Sequence, residues 1–438
     1  MEERAVEIAI IGAGVGGLTT ALRLHQVGYV PKLYEAATEM RELGVGIAIQ
    51  PYGTKELTEL GLYERFAAVS VEAKESVYYN QWGQEIYREL CGKHIGYDYD
   101  QRFIHRGILQ MLLYRAVRER LGDNAVVLGA RCLGYEQDDD GVTVHFEPRK
   151  PGVPREIHAD IVIGADGIKS TIRTQMHPSS AYPKYSGITL WRGVTLMPPY
   201  KTGGTICHIG APSQWSLIIY PILDNADNQG NTLINWVVEE MDRPEIVEDW
   251  NQPAPVDPIK DWFYECDLGF LSVPDLIQKS RESYLFPMMD HDPLDSWTDG
   301  RVCLLGDAAH AMYPRGGNGT CQALVDARVI AEKLASIPDP VEALKAYEDE
   351  RLEVANRIVL ANRGDGPEVV RRIVEERTGG KPFDNIEDVL PFEEADAIFQ
   401  EYHRLAGMPR PNQPARKSDC KSVFFPEWTG GQRQKEHQ

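Results

Sequence analysis

The densest concentration of chemically useful residues is the run VCLLGDAAHAMYPRGGNGTCQALVDA, Val302 to Ala327. Asp307 follows a short apolar stretch, where its carboxylate can accept hydrogen bonds from ligand hydroxyls. Pro314 fixes one φ, and Gly316, Gly317 and Gly319 then leave the backbone bare on either side of Asn318. A helical pattern begins directly afterwards, so its N-terminal N–H groups face whatever lies on those glycines. This is clearance for a flat ring, with a helix dipole placed to stabilise negative charge on it. A second run, GAGVGG (Gly12 to Gly17), follows the apolar stretch VEIAII and opens GLTTALRLHQVG. Gly12 permits a tight turn, Gly14 lets backbone approach a pyrophosphate, and Gly17 lets helix and strand pack closely. Val15 and Gly16 complete the loop. Glu35, with Ala36 after it, ends the next strand 18 residues beyond Gly17. A carboxylate there accepts hydrogen bonds from an adenosine ribose and repels a 2′-phosphate. A third run, GADGIKSTIR, places Asp166 and Gly167 after a strand and Ser170 where it can cap a helix.

The elements that must position these residues alternate between two patterns. VEIAII, VPKLYEA and ADIVIG read as buried strands of a parallel sheet, each followed by a turn and a helix start. Ile104 to Gly122 reads as an amphipathic helix, and PVEALKAYEDERLEVANRIVLANR as a longer one. Between them, residues 75–99 and 182–270 are β-patterned and aromatic. The expected fold is therefore α/β: a Rossmann-like dinucleotide domain built from residues 1–74, 100–180 and 275–360, and a β-sheet substrate domain from 75–99 and 181–274. A C-terminal helical region and polar tail occupy 361–438. The β segment supplies the candidate substrate residues. The Tyr220 phenol in SLIIYPI can hydrogen-bond a substrate hydroxyl, and Pro314 shapes the turn opposite. Trp191, His208, Trp215 and Trp236 are candidate walls. Each of these also has the plainer reading of a residue packed in a sheet core.

The formal charge of −20 gives a field that repels nucleic acid and anionic membrane, so neither is an expected partner. An anionic substrate needs a local cation, and Arg192 and Arg315 are the two candidates. No apolar run approaches the length of a membrane span, and the N-terminus enters a strand pattern without a signal-like apolar segment. Seven dispersed cysteines without a CxxC pair read as reduced thiols of a cytoplasmic protein. His105 and His310 lack partners at metal-ligand spacing, so no metal is expected, and His310 reads as loop support.

GAGVGG, GADG and GDAAHAMYPRGGNG, in this order, resemble the three signatures of class A FAD-dependent aromatic hydroxylases. RELGVGIAIQP (Arg41 to Pro51) and HRGILQ (His105 to Gln110) resemble further blocks of that family. The chain is similar to the salicylate and 3-hydroxybenzoate hydroxylases, and especially to the phenazine-carboxylate hydroxylase branch through GITLWRGV and LGDAAHAMYP. The likeness spans about residues 5 to 365. It implies non-covalent FAD, with Gly12, Gly14, Gly17 and Glu35 on the ADP half, Arg41 and Arg106 on the polar middle, and Asp307 on the ribityl chain. Gly46 and Ile47, then Gly317, Asn318 and Gly319, would lie along the flavin, and Asp166 would serve a structural or reductant-related role. NADH or NADPH would reduce the flavin without a Rossmann domain of its own, since no second GxGxxG is present. Oxygen would then give a C4a-hydroperoxide that hydroxylates a carboxylated or phenolic ring, with decarboxylation as a second outcome. The loop departs from many members in carrying Arg315. Two rival readings stand beside this one: a flavin-dependent reductase or dehydrogenase on the same fold, and a non-catalytic FAD-binding redox partner. Monomer and homodimer are both open.

Overall fold

The computed structural model describes residues 6–411, except 43, 242–243, 245–251, 260, 281, 365, 406 and 409. The apolar runs of the sequence form the middle of a six-stranded sheet. Its order is Thr298–Asp299, Val302–Leu304, Ile161–Gly164, Ile8–Ile11, Lys32–Glu35 and Val126–Leu128. All pairings are parallel except the short hairpin at the Thr298–Asp299 edge. Every residue of Ile8–Ile11, Ile161–Gly164 and Val302–Leu304 is buried, because helices cover both faces of such a sheet. The helices Val15–Gln26 and Asn318–Ser336 pack on it and on each other. The three glycine-bearing motifs therefore emerge side by side at the carboxyl ends of adjacent strands. Backbone hydrogen bonds register those ends: Gly12 N–H donates to Tyr34 O, Ala165 N–H to Ile11 O and Leu305 N–H to Gly164 O, at 2.8, 2.8 and 2.9 Å. Ligands of open parallel sheets bind at such an edge.

A second sheet has eight strands. Its order is Gln252–Pro253, Glu282–Asp290, Lys184–Met197, Thr232–Glu240, Trp215–Leu223, Thr205–Ala211, Glu75–Tyr79 and Glu85–Leu90. The Glu282–Asp290 strand pairs antiparallel with Lys184–Met197, so this sheet reaches beyond the boundary expected at residue 274. The 14-residue strand Lys184–Met197 has two long partners, and Glu282–Asp290 covers the side that Thr232–Glu240 leaves open. One face carries a core of Trp191, Trp215, Leu217, Trp236 and Phe263. Three-stranded sheets formed by Gly46–Ile49, Gln101–His105 and Val71–Ala73, and by Ala130–Gln137, Val142–Pro148 and Glu156–Ala159, complete the β-structure described. The helix expected from Ile104 starts at Arg106, since Ile104 and His105 still pair with Ile47 and Gly46. The helices Val369–Thr378 and Phe392–Leu405 pack Val370, Val374 and Phe399 on Tyr78, Ile86 and Tyr87 at the edge of the large sheet. The expected tail from residue 412 lies outside the described residues.

Gly17 is the tightest point of the nucleotide half: a Cβ built there would stand 2.1 Å from the Gly12 carbonyl oxygen. That atom is backbone, so Gly17→Ala must displace the helix from the strand, at about 1–3 kcal/mol by analogy with overpacked cores. The variant is expected to melt lower than wild type and to retain less flavin on purification.

Candidate active site

A cavity of about 340 Å³ lies between the Gly-rich loop, the Gly46–Ile49 strand and one face of the eight-stranded sheet. Strand alternation decides which side chains reach it. Leu190 and Arg192, Val237 and Glu239, Ile218 and Tyr220, Ile206 and His208, and Ser76 and Tyr78 all line it. They share one face by register, since Leu190 pairs with Glu239, Ile218 with Val237 and His208 with both Ile218 and Tyr78. Trp191 and Trp236 sit one residue out of phase and Trp215 opposite Glu240, so all three face the other way. Trp191 donates to Glu240 Oε2 at 2.8 Å, Trp236 donates to Thr195 Oγ1 at 3.2 Å, and Trp215 packs edge-on against Phe263. The expectation that these tryptophans wall the pocket is corrected: they are core residues behind the sheet.

The other wall is the loop read first in the sequence. Asp307, Pro314, Arg315, Gly317, Asn318 and Gly319 all line the cavity. Asp307 is exposed and, among the described residues, its carboxylate has no hydrogen-bond partner, which leaves it to a ligand. Gly316 has φ +66°, and a Cβ there would collide with the Tyr402 hydroxyl. The loop is held from below by a buried polar chain. His310 Nε2 donates to Asp326 Oδ2 at 2.6 Å and Arg351 Nε to Asp326 Oδ1 at 2.8 Å. Arg351 also reaches Gln322, whose amide donates to the Tyr52 hydroxyl, which in turn donates to Asn318 Oδ1. Burial pushes the Asp326 carboxyl up, but His310 and Arg351 outweigh it and hold it at about 2. His310 is thus the loop support expected of it. The Asn318 side chain points into the protein and its backbone turns toward the cavity.

The strand Gly46–Ile49 is fastened to the sheet at one residue. Gly46 N–H donates to Asn235 Oδ1 at 2.8 Å, and Arg192 Nη2 donates to Gly46 O at 2.9 Å. Gly46, Ile47 and Arg106 line the cavity from this side, Arg106 as the exposed first residue of its helix. Arg192 lies over the Phe286 ring and beside Tyr220, and burial pushes its guanidinium down. Burial likewise raises the Tyr220 phenol, with Arg192 opposing the shift. Arg315 donates to the Gly364 carbonyl and also stands near Glu239.

The remaining predicted residues divide. Glu35 Oε2 accepts from Ala13 N–H and Oε1 from Ala37 N–H, both at 2.8 Å, so the carboxylate sets the fingerprint loop at the end of its strand. A Cβ at Gly14 would meet nothing within 4 Å, which leaves open space before the helix N-terminus. Gly16 abuts Leu305 and Ala323, Val15 is buried, and Ala36 is half-buried. The open approach at Gly14, the ready carboxylates of Glu35 and Asp307 and the bare helix start at Asn318 fit a dinucleotide carrying a flat ring. Arg41 and Asp166 are not in the cavity lining, and Asp166 takes the structural role that the resemblance allowed. Arg41 is exposed and paired with Glu39, away from the cavity. Asp166 accepts from Ser170 Oγ and from Thr171 and Ile172 N–H, so it caps the helix Thr171–Met176 and does not line the cavity. Glu239, Glu368 and Tyr402 are cavity residues absent from the sequence reading. Alternation in TLINWVVEE marks Glu239, whereas Glu368 and Tyr402 arrive through long-range docking of helices.

Asp326→Asn leaves Arg351 as a buried charge without its counterion, a loss of about 3–5 kcal/mol. The same carboxylate fixes a pH dependence. Its folded value lies below the ordinary range near about 4, so it stabilises wild type above that value, and the benefit fades as pH falls toward 2. Melts across acidic pH should show this decline in wild type and a shallower one in Asp326→Asn.

Comparison with known proteins agrees with this geometry. The FAD binding domain family matches residues 5–362. The chain is 39% identical over 365 residues to phenazine 1,6-dicarboxylic acid hydroxylase of Lysobacter antibioticus, covering 82% of this chain and 89% of that one. It is 28% identical over 379 residues to salicylate hydroxylase of Pseudomonas putida, covering 81% and 83%. Klebsiella pneumoniae HpxO, solved with FAD and uric acid, superposes with a TM-score of 0.67 at 21% identity, covering 92% and 93%, and shares the fold. With its three strand-end motifs at one sheet edge, the chain belongs to the FAD binding domain family.

Proposed function

We propose that this chain is an FAD-dependent monooxygenase, reduced by NAD(P)H, that hydroxylates an aromatic ring bearing a carboxylate and a hydroxyl. The observation that carries the reading is the cavity in which the Asp307–Gly319 loop, with Arg315, faces a sheet wall holding Arg192 and hydrogen-bond acceptors. FAD, once reduced, supplies the activated oxygen atom that is transferred to the ring. The chain supplies placement. The Gly12–Gly17 loop and Glu35 would hold the adenosine diphosphate end, and Asp307 would accept from the ribityl hydroxyls. The first N–H groups of the helix Asn318–Ser336 would stabilise negative charge at the ring edge. Leu190, Ile206, Ile218 and Val237 present an apolar floor that excludes water from the reacting ring. Arg192 and Arg315 are two of the cations on that cavity and would hold a carboxylate, each also donating to a backbone carbonyl. The Tyr220 hydroxyl stays protonated, its ionisation pushed up by burial, and serves as a donor to substrate. The named relatives act on ring acids by their names, in keeping with this class. Among the described residues six buried free thiols accord with a reducing, cytoplasmic setting.

Asp307→Ala removes a charge-assisted hydrogen bond of roughly 1.5–3 kcal/mol, so FAD affinity should fall about 10- to 100-fold in a flavin titration. A panel of hydroxylated aromatic acids should stimulate NAD(P)H oxidation with matching oxygen uptake and a product heavier by one oxygen. Carbon dioxide released per NAD(P)H separates plain from decarboxylating hydroxylation. Oxygen uptake that no aromatic acid stimulates would sink the reading.

A further inference from the structure

The sheet face of the cavity carries a histidine whose two ring nitrogens have different surroundings. His208 Nδ1 donates to Glu368 Oε1 at 2.6 Å. Glu368 is itself fixed: Arg371 Nε donates to Oε2 at 2.8 Å, and Arg371 is anchored on Ile209 O and Ser216 Oγ at 2.7 and 3.0 Å. Burial raises the Glu368 carboxyl, but Arg371 and His208 outweigh it and hold it at about 2, so it is a carboxylate and Nδ1 carries the proton. In its neutral form the ring presents Nε2 as an acceptor. Among the described residues Nε2 has no hydrogen-bond partner, and His208 lines the cavity. Tyr78 stacks on the ring with centroids 4.4 Å apart and planes 7° apart, which fixes its tilt. Glu239 stands on the same face within the electrostatic reach of His208, buried and without a hydrogen-bond partner among the described residues. Histidine aligned by an ionised carboxylate, with the other nitrogen open to a ligand, is the arrangement of a general base.

Building on the hydroxylase reading, we infer that His208, aligned by Glu368, is the catalytic base that takes the proton from the substrate's ring hydroxyl. The O–H bond breaks, the proton bonds to Nε2, and the electron pair stays on oxygen and spreads to the ortho and para carbons. Those carbons then attack electrophilic oxygen more readily. The attacked carbon loses its hydrogen as a proton to water, and the imidazolium, stabilised by Glu368, returns its own proton to the phenolate oxygen. Oxygen is the oxidant and NAD(P)H the reductant of the proposed reaction, and no further co-reactant is needed. Glu368 is a positioning residue, because it acts through His208.

The probe is 4-hydroxy-3-nitrobenzoate, an aromatic acid whose phenolate is coloured, added to the FAD-loaded enzyme at a pH where the free phenol is protonated. Wild type should bind it with the appearance of the phenolate band. His208→Gln should bind it with similar affinity and without the band. Glu368→Gln should bind it with a weakened band, and its kcat should fall while KM changes little, a split that loosened packing alone does not give. With a turned-over hydroxybenzoate, His208→Gln should lose roughly 10²- to 10⁴-fold in kcat. Wild type binding the probe as a neutral phenol overturns the assignment without recourse to any variant, as does a His208→Gln enzyme that keeps both band and kcat. Failure of wild type to bind the probe or any hydroxylated aromatic acid overturns the substrate reading on which the assignment rests.

Discussion

Pleat parity in the eight-stranded sheet is the constraint on which the site depends. Successive side chains on a strand point to opposite faces, and a shift of one residue exchanges them all. Here one parity gathers Arg192, Tyr220, His208 and Glu239 on the cavity, and the other buries Trp191, Trp215 and Trp236 in a hydrophobic core. The bulky core locks the register, since a slip would expose three indoles and bury an arginine and a glutamate among them. The polar face is thereby held in place by residues that never meet a ligand.

The two halves meet through few but well-buried polar contacts. Arg192 and Asn235 grip the carbonyl and amide of Gly46, so the strand Gly46–Ile49 is tied to the eight-stranded sheet. Gln110 reaches from the helix Arg106–Leu121 to the Ala13 carbonyl at 2.9 Å and ties that helix to the fingerprint loop. Beneath the second glycine loop, Asp326 collects His310, Arg351 and the Gly306 amide. The loop needs this support because its glycines contribute no packing of their own. Flexibility in the backbone is offset by a rigid polar network one layer down.

Much of the nucleotide half was legible in the sequence, because its signals are local. An apolar run, a glycine turn and a helix start lie within about twenty residues, and Glu35 follows at the next strand end. The substrate half was legible only in part. Tyr220, Arg192 and His208 were found, but so were the three tryptophans, since residue type alone does not tell the two faces apart. Adjacency did hold the answer for one pair: Trp191 and Arg192 are neighbours on one strand and cannot share a face. Arg41 was placed by resemblance, and in this chain it pairs at the surface with Glu39. Asp166 had a local signal for both outcomes, and Ser170 with the following amides decided it in favour of a cap. Glu368 and Tyr402 had no local signal, because their placement depends on helices folding back over 150 residues or more of chain onto strands at Tyr78 and His208.

The cavity draws on both sides of residue 362, where the family match ends. Pro367, Glu368, Tyr402 and Met408 form one wall from beyond that point, while the glycine-bearing loops lie wholly before it. One wall of the pocket is therefore carried by a length of polypeptide that follows the glycine-bearing loops in the chain. Drift, insertion or exchange in the later segment can reshape what the pocket admits while the nucleotide core goes on folding as before. A lineage built this way can diversify its substrates by remodelling one wall, with the oxygen-activating apparatus inherited unchanged.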